Sequence, residues 1–144
     1  MAETRITPIE INNPYKFSAY KSTTTGITGT QVDTIIFNVE SFDTNNNYDT
    51  STGVYTAPVA GYYYFTGHVR ADSTGATYMQ LYVAGDKCND STTANGQQNN
   101  LIGGKLVYLA AGGAVSCGIY HNGTANIVGS AGEVVFSGFL VCKA

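Results

Sequence analysis

In the run Gly61-Tyr62-Tyr63-Tyr64-Phe65, aromatic side chains occupy both alternations of the chain. A strand sends successive side chains to opposite faces, so Tyr63 and Phe65 point one way while Tyr62 and Tyr64 point the other. The segment Glu133-Val134-Val135-Phe136-Ser137-Gly138-Phe139-Leu140-Val141-Cys142 repeats the pattern, with large side chains on both parities. Antiparallel sandwich strands normally keep one face in water. A strand that is apolar twice must be covered twice, and the chain's own core supplies only one cover. Contiguous apolar patches of this size are rare on monomers, so a second copy of the chain is the expected second cover.

Composition narrows the architecture. Of the 144 residues only 12% are charged, while 11 are Tyr, 17 are Gly and none is Trp. Tyr, Thr and Val suit pleated, half-buried surfaces, and Gly and Asn supply turns. No segment carries a sustained helical stripe, so the chain is expected to be all-β and to need no helix. A net charge of −3 provides no basic face for phosphates, so no nucleic acid is expected as a partner. No apolar run approaches the roughly 18 residues needed to cross a bilayer, so no membrane is expected either.

The spacing predicts an extended arm over residues 1–14, stiffened by Pro8 and Pro14 and carrying Ile6, Ile9 and Ile11, followed by one domain over residues 15–144. Strands are expected at 15–20, 34–39, 54–57, 62–71, 77–83, 101–109, 114–121, 126–128 and 133–143. Residues 22–29 and the polar excursion 86–100 are expected as loops. Asn122-Gly123 has the composition of a hairpin turn, and Gly103-Gly104 that of a bulge. Many short strands between Gly and Asn turns indicate a sandwich or jelly roll. Of the three cysteines, Cys88, Cys117 and Cys142, the last two fall in expected strands and are expected to be reduced core residues.

Phe37, Asp43, Tyr48, Tyr55, Gly61, Tyr63 and Phe65 stand at gaps that resemble the signature of a known family, the globular head of complement C1q and its tumour-necrosis-factor-like relatives. Phe17-Ser18-Ala19, Thr52-Gly53-Val54-Tyr55-Thr56-Ala57-Pro58 and Phe136-Ser137-Gly138-Phe139-Leu140 match in order as well. The chain departs at Tyr55, where the family has Phe, and at Gly67, where it has an aromatic residue. The resemblance implies a jelly roll of about ten strands assembled as a homotrimer. The trimer contact is then expected at Tyr62, Tyr64 and Phe139. The core is expected around Phe37, Tyr48, Tyr55, Gly61, Tyr63, Phe65, Phe136 and Gly138.

The fold hosts many functions, so function must come from departures and sites. No Gly-X-Y repeat of a collagen stalk occurs, and the opening Met-Ala-Glu-Thr-Arg-Ile is not a secretion signal. These features lead us to expect a virion protein assembled in the host cytoplasm. In this reading a trimeric decoration protein cements the capsid of a bacterial virus, with the isoleucine arm docked on a neighbour or on the major capsid protein. The alternative is a receptor- or carbohydrate-binding tip of a tail fibre, with the 86–100 segment, Tyr78 and Tyr82 as candidate contacts for a surface glycan. Enzymatic chemistry is not expected. His68 and His121 sit in no nucleophile motif, and phosphate-loop and zinc-protease patterns do not occur. Asp86, Asn89 and Asp90 could approach a calcium ion but lack the ligand density of a dedicated loop, so no metal or cofactor is expected.

Overall fold

The structure, a computed structural model, describes residues 14–83, 86–92 and 99–144. The expected arm with Ile6, Ile9 and Ile11 therefore lies outside the described residues. The described residues form eleven strands: β1 (Lys16–Tyr20), β2 (Thr25–Thr34), β3 (Val39–Asp43), β4 (Tyr48–Asp49), β5 (Val54–Thr56), β6 (Gly61–Ser73), β7 (Thr77–Val83), β8 (Asp86–Thr92), β9 (Asn99–Leu109), β10 (Ala114–Ile127) and β11 (Val135–Lys143).

All pairings are antiparallel and build two layers. One layer runs β3-β1-β11-β6-β9. The other is centred on β10, with β7 and then β8 on one side, and β2 and the β5-β4 pair on the other. The far end of β6 crosses from the first layer to pair with β10 at Ala71, Asp72 and Ser73.

The core lies between the layers. Phe17, Phe37, Tyr48, Tyr55, Tyr63, Phe65 and Phe136 are all buried there. Phe17 is the hub: its ring centre lies 5.0 Å from Tyr48, 4.8 Å from Tyr55 and 5.1 Å from Phe136. Gly138 is required beside it, because a Cβ at that position would overlap the Phe65 ring and come within 3.0 Å of the Phe17 ring. Asp43 ties the turn that follows β3, its carboxylate accepting from the amides of Asn45 (3.1 Å), Asn47 (2.6 Å) and Tyr48 (2.7 Å).

Several expectations need correction. Residues 25–34, with 25–29 expected as loop, form β2, a strand that among the described residues pairs with β10 alone and is exposed along most of its length. Only Ile27 of this strand packs against the core, so the alternation that marks strands is missing. The expected strand at 34–39 is instead the corner that carries the chain from one layer to the other. Ile35 and Phe37 are buried there, but Ile35 is held by one amide bond to the Cys117 carbonyl (2.9 Å), and the Phe37 amide donates to the Tyr48 hydroxyl (3.2 Å). The 86–100 excursion contains β8 and the start of β9. Asn122-Gly123 does not turn the chain. β10 continues through it to Ile127, with Gly123 (φ 112°) directly opposite Gly29 (φ 109°) of β2. Gly103-Gly104 is not a bulge either, since the β6–β9 register is unbroken.

Both Cys117 and Cys142 are free, but only Cys117 is in the core; Cys142 is exposed. Desolvation pushes the Cys117 thiol up to about 12. His121 is buried, with Nε2 2.8 Å from Asp33 Oδ2, and is a structural histidine.

Candidate functional site: an outward aromatic face

The two parities of β6 have separate fates. Tyr63 and Phe65 enter the core, whereas Tyr62 and Tyr64 lie on the opposite face of the layer at 46% and 38% exposure, with Phe139 of β11 at 44%. The three residues expected to act together are thus on one surface. Register places Phe139 opposite Tyr64, and their ring centres are 6.0 Å apart.

Antiparallel register lays this surface out in rows across the strands. One row is Lys16, Phe139, Tyr64 and Leu106 on β1, β11, β6 and β9. Next to it, towards the start of β9, runs Phe42, Ser18, Ser137, Thr66 and Gly104. On the other side Tyr62 pairs with Tyr108, with ring centres 5.5 Å apart. Phe42, Leu106, Tyr108 and Val141 are also exposed large apolar side chains, and sequence reasoning did not single them out. The signal was present in Leu106-Val107-Tyr108-Leu109, which is apolar on both parities like β6 and β11.

The row of small residues forms a trough between larger neighbours. A pocket of about 300 Å³ opens there, lined by Lys16, Phe17, Phe42, Tyr64, Thr66, Ser137, Gly138 and Phe139. Its hydroxyls are already engaged: Ser137 donates to Ser18 Oγ (2.8 Å) and Thr66 donates to the Gly103 carbonyl (3.2 Å). Gly104 leaves room at the far end for Tyr64 to lean across; a Cβ there would lie 3.0 Å from the phenol ring carbon Cζ.

A second cavity, of about 540 Å³, lies by the turns after β3 and β4 and is lined by Glu40, Asn46, Asn47, Tyr48, Asp49, Thr50 and Thr56. Polar amide and carboxylate groups dominate it. Among the candidate glycan contacts, Tyr82 is not a free stacking platform. Its hydroxyl donates to Gln80 Oε1, and its ring packs over Gly118, where a Cβ would lie 2.8 Å from Cε2. The side chains of Tyr78, Asn89 and Asp90 lie outside those described, while Asp86 is exposed. Among the described residues, no group of three His, Cys, Asp or Glu side chains is arranged to hold a metal ion.

The C1q domain pattern matches residues 16–141. The fold is similar to the globular domain of zebrafish complement 1qA protein, with a TM-score of 0.66 and 22% identity over 90% of this chain and 99% of that one. It is also similar to murine APRIL, at TM-score 0.70 and 11% identity over 88% and 98% of the two chains. The Eiger TNF of S. frugiperda aligns at TM-score 0.61 and 10% identity over 90% and 94%. These likenesses establish the all-β jelly roll expected from the sequence.

Proposed function

The chain belongs to the C1q domain family, and on that premise we propose that it is a non-enzymatic homotrimer, joined through its outward aromatic face, that decorates the outer shell of a bacterial virus. The observation that carries self-association is the shared exposure of Phe42, Tyr62, Tyr64, Leu106, Tyr108 and Phe139 on one face of the β3-β1-β11-β6-β9 layer. Apolar surface of this extent is unfavourable in water and marks a protein contact. Trimers are typical of C1q and TNF domains, and a cyclic assembly covers such a face on every copy.

The place on a virion rests on a head that associates with itself and on the isoleucines of the preceding arm, which suit docking on a neighbouring subunit or on the major capsid protein. Sedimentation of the purified chain at low micromolar concentration tests the trimer, and a monomer there would overturn it. Deleting residues 1–10 should leave the trimer intact but prevent it from decorating particles that lack the protein. Undiminished decoration by the truncated chain would remove the arm as the anchor.

The polar cavity beside Asn46, Asn47 and Asp49 supports a second reading, a carbohydrate-binding tail-fibre tip. Copy number in purified particles separates the two: shell-wide abundance supports decoration, and a few copies support the tip.

A further inference from the structure

We infer that the pocket between Phe42, Tyr64 and Phe139 is filled by Leu106 of the adjacent copy, so that the trimer contact is a knob seated in a trough rather than aromatic faces meeting flat. This rests on the proposed trimer and assigns its pairing.

The outward face is not uniform. Its trough is floored by Ser137 and Thr66 and closed at one end by Phe42 on the edge strand β3. Its ridge lies towards the opposite edge, on β9. Closed assemblies of three copies use heterologous contacts, in which one patch meets a different patch on the next copy. A trough at one edge and a ridge at the other provide those two patches on a single layer.

The occupant follows from the ridge. Tyr62 and Tyr108 pack on each other, and Tyr64 packs on Phe139. Leu106 is the most exposed large apolar side chain among the described residues, at 54%, and stands on the edge strand where a neighbour can reach it. The pocket, at about 300 Å³, is at the lower limit for small-molecule sites and is sized for side chains. Because Ser137 and Thr66 already donate within the chain, an aliphatic group can enter without stranding those hydroxyl protons.

The test is complementation between two damaged copies. Leu106→Asp breaks only the knob and Phe42→Asp only the trough, and both positions are exposed, so the fold should persist; cooperative melting verifies this. Each variant alone should sediment as a monomer. Mixed, the intact trough of the first accepts the intact knob of the second, and a heterodimer should appear. A wild-type trimer whose two variants fail to combine would overturn the Leu106 pairing and leave the trimer reading standing. A monomeric wild type would overturn that reading itself.

Discussion

The two faces of β6 are built from nearly the same residues, yet only one excludes water. On the inner side Tyr63 and Phe65 join a continuous set of rings around Phe17, closed over by residues of the second layer such as Leu81, Val115 and Ile119. On the outer side Tyr62 and Tyr64 also have ring partners, Tyr108 and Phe139, but remain about half exposed. Contact within a sheet face therefore does not bury it. Burial needs a second layer, which the described residues supply once, through β10 and its neighbours, and do not supply on the other side. The inner face is thus the one the fold itself buries, and the outer one is left for the proposed association.

The sharpest way to break this division is to truncate one ring on each face. Phe65→Ala should cost about 3–5 kcal/mol in urea unfolding of dilute protein, whereas Tyr64→Ala should shift the isolated subunit by only about 0.5 kcal/mol. Equal costs would abolish the distinction. Next in size is the association term. Each large apolar side chain buried at the contact contributes about 1.5–3 kcal/mol, so Phe139→Asp, Tyr62→Asp or Tyr64→Asp should eliminate the trimer in sedimentation velocity at low micromolar concentration while the subunit still melts cooperatively. A trimeric Phe139→Asp variant would remove that residue from the interface.

An effect smaller at any one pH step, though it accumulates over several, separates the faces by pH. The Cys117 thiol is raised from 9.0 to about 12 by burial, and burial also raises Tyr48, Tyr55 and Tyr63. In each case the folded state binds its proton more tightly than the unfolded chain does. This contribution is fully present below the unfolded value and is lost as pH rises through the folded one. For Cys117 the loss should run from pH 9 to about 12, with a slope approaching about 1.4 kcal/mol per pH unit. Cys117→Ala should start less stable but show a shallower alkaline decline in denaturant titrations. An unchanged slope would mean the thiol is not protected as the structure indicates.

The smallest effect concerns Tyr55, a buried residue whose hydroxyl has no hydrogen-bond partner among the described residues. Removing a stranded hydroxyl while keeping the ring should help, so Tyr55→Phe is expected to add about 1 kcal/mol, or about 3 °C in melting temperature. A loss of stability would show that the hydroxyl is satisfied.

Much of this division was legible in the sequence because strand parity is a strict geometric signal. Tyr63, Phe65 and Phe136 on one side, and Tyr62, Tyr64 and Phe139 on the other, are separated by alternation alone. The same rule failed where a strand offers the core a single residue, Ile27 in β2. In β2, Thr and Gly dominate and most positions are exposed, so nothing in its composition distinguishes it from a loop. The opposite error occurred at Ile35 and Phe37, where alternating burial arises in a chain crossing between layers and not in a ladder. The trough was hidden for a third reason: Ser18, Thr66, Gly104 and Ser137 are far apart in sequence and become a row only through register.

The position of β11 has a consequence for how the protein is made. It lies in the middle of its layer, between β1 and β6, although the ribosome delivers it after all the other strands. Until it emerges, β1 has no route to β6, and the row Lys16-Phe139-Tyr64-Leu106 lacks its second member. Pairing the first strand with the last is also a slow, high-separation step. The β6–β9 half of the outward face, with Tyr62, Tyr64, Leu106 and Tyr108, can pair before β11 emerges, whereas Phe42 on β3 joins it only once β11 bridges β1 to β6, so the complete face exists only in the finished fold.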